Sequence, residues 1–271
     1  MAAGRIGCCL KDQDLQVVDD RGAPFTLRPP VPFSQVRDKA VKIAKYDSST
    51  ILPEHTPVSN QGGWGSCVAN AWCDALEILD GMEAGDVVEQ LSRLFLYAVS
   101  RILHGALHED AGTFNRAAGY QLCTVGTVEE RYYEYTADHI FAKPPADLYT
   151  MASNHRIEGA YSVDSHGEER LDDIDLALLS GHPVVFGTAV GDELSQYSGD
   201  GTVLSPPTMW RGRHAMIVTG MRPHRGKRQY LWRNSWGSDW GEGGHVWVQE
   251  SYMMWEQTRD IWVPTKQVDW S

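Results

Sequence analysis

One cysteine, Cys67, has the sequence surroundings of an activated nucleophile. Residues 61–67 read Gln-Gly-Gly-Trp-Gly-Ser-Cys, and a helical pattern of apolar residues follows. A thiol in the first turn of a helix lies at the positive end of the helix dipole, where unpaired backbone N–H groups favour thiolate over thiol. The glycines project no side chain, so the backbone of a ligand can come close. The segment therefore predicts a thiolate nucleophile in a ligand-binding groove.

A thiolate nucleophile needs a base, and His214 is our candidate. This histidine directly precedes the apolar run 215–218, which places it at the start of a predicted buried strand. Asn234 lies at the end of another predicted strand, and its side-chain oxygen can accept a hydrogen bond from one ring N–H of the histidine. The other ring nitrogen would then be aimed at Cys67.

The same chemistry needs donors for the negative charge that develops on an attacked carbonyl oxygen. The backbone N–H of Cys67 can supply one donor, and the side-chain amide of Gln61 can supply the other. Each such donor typically stabilises the transition state by roughly 3 kcal/mol. The four residues together predict acyl transfer through a thioester.

These side chains must be held by a helical half and a strand-rich half. The apolar spacing predicts a helix from Cys67 onward, with Ser66 as its N-cap and Gly81 past its end. Further helices are predicted over 91–102, 113–123 and 171–180. Strands are predicted over 183–190, 214–221, 229–234 and 245–249.

Helices followed by strands indicate the α+β class, with a functional site in the cleft between the halves. We expect an N-terminal extension of unclear role over 1–46 and one domain over 47–271. Within that domain, 47–155 is predicted to be mainly helical and 156–271 mainly β.

The separated motifs resemble the papain-like cysteine peptidases, the C1 family. The resemblance rests on Gln61-Gly-x-x-Gly-Ser-Cys67, then His214-Ala215, then Asn234-Ser235-Trp236-Gly237-x-x-Trp240-Gly241, in that order. It spans about residue 47 to residue 255. In detail it is similar to the bacterial branch, through the blocks 92–97, 112–113 and 181–185.

The resemblance implies a papain-like two-lobed fold, with a helical lobe, an antiparallel β-barrel-like lobe and the active site between them. It implies a nucleophilic Cys67, an acid/base His214, an orienting Asn234 and an oxyanion donor in Gln61. It also implies a substrate-binding surface and a shield over the His–Asn hydrogen bond. The residues expected at that surface are Gly65, Ser66, Gly112 and Trp236, with Trp236 as the shield.

The sequence also departs from the family pattern. Trp64 stands where secreted members carry a disulfide-bonded cysteine, and Val68 and Asn70 replace aromatic residues that usually follow the nucleophile. The long helical propeptide of the secreted zymogens is not recognisable ahead of Gln61. Activity would then be restrained by an inhibitory partner protein or by the segment 33–45.

The resemblance implies a protein or peptide substrate, and composition disfavours other classes of partner. The net charge of −12 disfavours nucleic acid, and the basic cluster 222–228 is interpreted as a solvated hairpin tip. The sequence predicts no membrane span, no metal site and no cofactor, and it shows no secretory signal. Five cysteines without a CxxC pair suit a reducing compartment, so we expect a cytoplasmic protein or one exported by a signal-independent route.

The sequence is compatible with three hypotheses for the function. The first is a cysteine endopeptidase. The second keeps the thioester but uses it in a deamidase or transpeptidase, or in a delivered effector or toxin protease. The third is an inactive papain-fold binding module, although such a module would not need the Gln, Cys, His and Asn set.

Overall fold

A computed structural model describes residues 49–85 and 88–266. Its α-helices are α1 (Cys67–Ala84), α2 (Arg93–Ile102), α3 (Asn115–Thr124), α4 (Ala146–Ala152), α5 (Gly167–Leu179), α6 (Asp192–Ser195) and α7 (Glu250–Met254). Its strands are β1 (Thr50–Ile51), β2 (Gly159–Ser162), β3 (Val184–Val190), β4 (Gly212–His224), β5 (Lys227–Arg233), β6 (His245–Gln249) and β7 (Arg259–Thr265). The predicted extension 1–46 lies outside the described residues, and the predicted domain boundaries stay predictions.

The strands form one antiparallel sheet in the order β2-β7-β3-β4-β5-β6, with β1 paired to β4. The sheet is open, since β2 and β6 are its edges, so the β lobe expected to be barrel-like does not close into a barrel. Helices plus an antiparallel sheet confirm the α+β class. None of the helices in the described ranges is both long and apolar enough to cross a membrane.

Helix α1 is the central element of the core. All of its residues from Cys67 to Leu79 are buried, because it packs against β4 on one side and against α2 and α3 on the other. A helix enclosed in this way must satisfy every polar side chain that it carries inside the protein. Asp74 and Glu77 are the two buried charged residues of α1, and their partners need explanation.

Asp74 is shared by two buried arginines from different parts of the chain. Its Oδ1 lies 2.6 Å from Nη2 of Arg93, at the start of α2, and its Oδ2 lies 3.3 Å from Nε of Arg233, at the end of β5. Arg93 also pairs with Glu77, and Arg233 with Glu54. The cluster thus links α1 to the strand that leads into Asn234.

Two details of α1 differ from the prediction. The helix continues past Gly81 to Ala84, and Gly85 ends it in a left-handed conformation (φ 69°). A Cβ on Gly81 would lie 2.1 Å from the ring of His55, so this glycine makes room for a packed side chain and does not end the helix. Ser66 makes no side-chain cap; its hydroxyl bonds to Tyr135 instead.

The four strands predicted from the sequence correspond to β3–β6. The β4–β5 hairpin turns at Arg225 and Gly226, which agrees with the predicted hairpin tip, but Arg228 is buried there beside Asp172 and Asp175. Strand β7, which pairs with both β2 and β3, is missing from the sequence-based prediction.

The shared carboxylate of Asp74 should matter for stability. Replacing Asp74 by Ala should lower the free energy of unfolding by about 3 kcal/mol, because two buried guanidinium groups lose a partner. Urea denaturation measures this change. The matched control is Arg211→Ala, which breaks an ion pair with Asp192 that is exposed on both sides and should lower the free energy of unfolding much less. Equal losses in the two variants would contradict the role given to the cluster.

Candidate functional site

Cys67 is the first residue of α1 and is fully buried. Its position at the N-terminal end of an 18-residue helix confirms the helical placement from which its reactivity was predicted. The residues of α1 that follow it pack against β4, the strand that carries His214. The helix start and β4 are thereby parts of one packed unit.

His214 and Asn234 are joined as predicted, and the bond pattern defines the tautomer. Oδ1 of Asn234 lies 2.7 Å from Nε2 of His214 and also accepts the backbone N–H of Ser235 at 2.8 Å. A backbone N–H can only donate, so the atom facing both partners is the side-chain oxygen of Asn234. In the neutral ring Nε2 therefore carries the proton and Nδ1 does not. Nδ1 is buried and makes no hydrogen bond within the described residues.

Trp236 covers the histidine. Its indole stacks on the imidazole of His214 with ring centroids 4.8 Å apart and an interplanar angle of 27°. The ring of Trp240 meets the indole edge-on at 5.3 Å. Burial under these rings lowers the pKa of His214 to about 4, while the hydrogen bond to Asn234 acts in the opposite direction. The imidazole is therefore neutral at neutral pH whenever Cys67 is uncharged.

Gln61 is fully buried, and two partners orient its side-chain amide. Ser235 donates its hydroxyl to Oε1 at 2.6 Å, and Nε2 donates to the carbonyl of Trp64 at 2.7 Å. The backbone N–H of Gln61 donates to the carbonyl of Ser235 at 2.8 Å. Residues 234–235 thus orient both the imidazole of His214 and the amide of Gln61. No sequence pattern predicts this role of Ser235.

Tyr135 is a second residue that sequence reasoning missed. Its hydroxyl donates to the carbonyl of Gln61 at 3.0 Å and lies 2.5 Å from Oγ of Ser66. The side-chain amide of Asn70 donates in turn to Oγ of Ser66 at 3.0 Å. The chain of hydrogen bonds braces both ends of the segment 61–67. No local signal predicts this contact, because Tyr135 lies 68 residues after Cys67 in a stretch without helical or strand periodicity.

Gly65 and Gly112 lie side by side. The position of a Cβ on Gly65 would be 3.3 Å from the backbone nitrogen of Gly112. Two expected substrate-binding glycines are thus neighbours, 47 residues apart in sequence. Ser66, by contrast, is fully buried and hydrogen-bonded to Tyr135, so its side chain supports the segment from behind. Its expected contact with substrate stays a prediction, and so do the catalytic roles of the other residues.

No candidate metal centre accompanies these residues. In residues 49–85 and 88–266 no group of three or more His, Cys, Asp or Glu side chains is placed to hold a metal ion. What the arrangement can do is proton exchange and nucleophilic attack: a thiol at a helix start, a neutral imidazole with one unprotonated nitrogen, and an amide N–H held in a fixed direction.

Comparisons with known proteins point to one family. The family model described as "Papain family cysteine protease" matches residues 44–261. The chain is 29% identical over 223 residues to an uncharacterized peptidase C1-like protein, L477, of Acanthamoeba polyphaga mimivirus, over 78% of this chain and 70% of that protein. It is 27% identical over 191 residues to zingipain-2 of Zingiber officinale, over 70% of this chain and 80% of that protein.

Solved structures agree on the fold. The structure of xylellain, a cysteine protease from Xylella fastidiosa, superimposes with a TM-score of 0.76 at 24% identity, over 98% of this chain and 97% of that chain. The bromelain protease from Ananas comosus, solved in complex with the E64 inhibitor, gives a TM-score of 0.64 at 21% identity, over 81% and 99%. With a family model that matches most of its length, this chain belongs to the papain family of cysteine proteases and is a cysteine-type peptidase.

Proposed function

We propose that this protein is an endopeptidase that cleaves protein substrates with Cys67 as nucleophile, His214 as acid and base, Asn234 as orienting group and Gln61 as oxyanion donor. The observation that carries the proposal is the double acceptance by Oδ1 of Asn234. It leaves Nδ1 of His214 as the basic nitrogen of the ring, which is the protonation state that a general base requires.

In the acylation half of the reaction, Nδ1 of His214 takes the proton of the Cys67 thiol. The sulfur attacks the carbonyl carbon of the scissile peptide bond, and the carbonyl π-electron pair moves onto the oxygen. The backbone N–H of Cys67 and the Gln61 amide stabilise this oxyanion. As the intermediate collapses, the C–N bond breaks, the amine leaves with the proton from Nδ1, and a thioester remains.

In the deacylation half, water attacks the thioester carbonyl while Nδ1 of His214 accepts a proton from it. The C–S bond breaks, the acid product leaves, and the proton returns to the sulfur. Trp236 supports both halves, because its stacked ring shields the His214–Asn234 hydrogen bond from water. The Cys–His pair should titrate as a unit and give a bell-shaped pH dependence.

The proposal also specifies that water accepts the acyl group from the thioester and that the bond attacked is a peptide bond. The same thioester could be resolved by an amine, or formed from a side-chain amide, as in a transpeptidase or a deamidase. A cytoplasmic enzyme and a delivered effector or toxin protease would use identical chemistry, and either could be restrained by an inhibitory partner. An inactive binding module is disfavoured because it needs no oriented imidazole.

A cleavage assay tests the proposal directly. Wild-type protein should cut unfolded protein substrates, and Cys67→Ala should abolish cleavage while the circular dichroism spectrum stays the same, since only the sulfur is lost. Mass spectrometry of the products identifies the reaction: new chain termini mean proteolysis, and glutamine converted to glutamate means deamidation. Cleavage by the Cys67→Ala variant at the wild-type rate would contradict the assignment of the nucleophile.

The shielding of His214 should be visible in its pKa. In a Cys67→Ala background, NMR titration should give His214 a pKa of about 4. Adding Trp236→Ala should raise it toward the value of about 6.5 for a hydrated histidine, because water reaches the ring. His182, whose pKa is also lowered by burial, serves as the internal control and should not respond. An unchanged pKa for His214 would exclude Trp236 as the shield.

The lowered pKa of His214 also determines the direction in which stability changes with pH. The native pKa of His214 lies below the unfolded value, so between about pH 6.5 and pH 4 the unfolded chain binds a proton that the native state does not. This contribution to stability is fully present above pH 6.5 and is lost as the pH falls through that window.

A further inference from the structure

The carboxylate of Asp110, in the loop between α2 and α3, bridges two segments near the candidate site. Its Oδ1 accepts the backbone N–H of Gly65 at 2.9 Å and the hydroxyl of Tyr97 at 2.7 Å. Gly65 lies two residues before Cys67. One carboxylate oxygen thus joins the segment of the nucleophile to helix α2.

The hydroxyl of Tyr97 extends the bridge to Gly112. It accepts the backbone N–H of Gly112 at 3.1 Å while it donates to Asp110. The N–H of Gly112 thus donates to the hydroxyl of Tyr97, and this hydroxyl donates to Asp110. The N–H of Gly65 donates to the same carboxylate oxygen. This chain of bonds connects the two neighbouring glycines that we expect at the substrate-binding surface.

Tyr97 is held so that it can only serve as a neutral link. Its ring is buried, and the guanidinium of Arg101 stacks on it at 3.8 Å. Burial and the hydrogen bond to Asp110 raise the pKa of Tyr97 far above its usual value. The phenol therefore keeps its proton at every pH at which the enzyme could work, and remains a donor to Asp110.

The bridge also explains the glycine at position 65. A Cβ there would lie 2.8 Å from Oδ1 of Asp110 and 3.1 Å from the hydroxyl of Tyr97. The first distance is shorter than real Cβ contacts, so any side chain would displace the carboxylate. Glycine is needed here for the close approach of backbone and carboxylate.

We propose that Asp110 is a positioning residue that holds the adjacent Gly65 and Gly112 segments together as one wall of the peptide-binding cleft. The proposal rests on the proposed function, because it assumes that a peptide substrate binds against these segments. Asp110 itself takes no part in the chemistry. It acts by holding two backbone N–H groups in place.

Steady-state kinetics on a peptide substrate test the proposal. In Asp110→Ala the KM should rise by about 10-fold, as expected for losing a hydrogen bond to a charged acceptor, with kcat changed by less than about 2-fold. Asp110→Asn keeps an oxygen acceptor in the same place and should return KM to within about 3-fold of wild type. Glu109→Ala, which removes an exposed carboxylate from the same loop, is the matched control and should leave KM unchanged.

A loss of kcat at constant KM in Asp110→Ala would overturn the proposal, because general destabilisation removes active enzyme without changing KM. Tyr97→Phe is the second variant, for use if Asp110→Ala does not fold. It removes only the hydroxyl, and should raise KM in the same way.

Amide hydrogen exchange keeps the proposal testable even if wild-type protein cleaves no peptide, an outcome that would count against the proposed function alone. In Asp110→Ala the N–H groups of Gly65 and Gly112 should exchange about 10-fold faster or more, while amides of β4 stay protected. Unchanged exchange at both glycines would overturn the positioning role of Asp110.

Discussion

The buried carboxylate of Asp74 is the constraint on which the rest of the site depends. It lies two helical turns after Cys67 in α1, and it binds Arg233, the residue directly before Asn234. The helix that begins at the proposed nucleophile and the strand that leads into the proposed orienting amide are thus tied through one side chain. Arg93 binds the other oxygen and joins α2 to the same point.

A buried cluster of this kind is expected to add little net stability. Removing charged groups from water costs several kcal/mol per ion, and the ion pairs in the interior only offset that cost. What the cluster does secure is register, because a sliding or rotation of α1 relative to β5 would leave a guanidinium or a carboxylate buried without a partner. The proposed catalytic geometry around Cys67 would need that register, since a shift of about 1 Å can cost a catalytic site a factor of about 100.

Hydrogen bonds orient the side chains around Cys67, in addition to the ion cluster that links the helices and strands. Ser235 directs the amide of Gln61, and its backbone N–H directs the amide of Asn234. Each side-chain amide can take only one orientation. The amide of Gln61 contacts a backbone carbonyl, which can only accept, and the amide of Asn234 contacts a backbone N–H, which can only donate. On the other side of Cys67, Asp110 and Tyr135 hold the backbone at Gly65 and at Gln61. Trp64 packs edge-on against Phe141. Secreted relatives are expected to carry a disulfide-bonded cysteine at the position of Trp64. In this chain, hydrogen bonds hold the segment that a disulfide bond would hold in those relatives.

The parts of the fold that were predictable from sequence are those whose signal is local. Helix α1 begins at Cys67 as predicted because its apolar residues repeat with the helical period, and the His214 strand is recognisable from its apolar run. Strand β7 was missed because Asp260 and Pro264 interrupt the pattern of a central strand. The contacts of Ser235, Tyr135 and Asp110 join positions 45 to 174 residues apart, and no periodicity reports such pairs. The end of α1 was misplaced because Gly81 looks like a helix stop in sequence, whereas its real constraint is the ring of His55.

We propose above all that His214 activates Cys67 inside a peptide-binding cleft. The most direct test is covalent labelling with an epoxysuccinyl peptide, read by intact mass and peptide mapping, on wild-type protein and on His214→Ala. The account predicts a single adduct on Cys67 in the wild type, and loss of that adduct in the variant. Equal labelling of Cys67 in both proteins, or no labelling of Cys67 in the folded wild type, would contradict it.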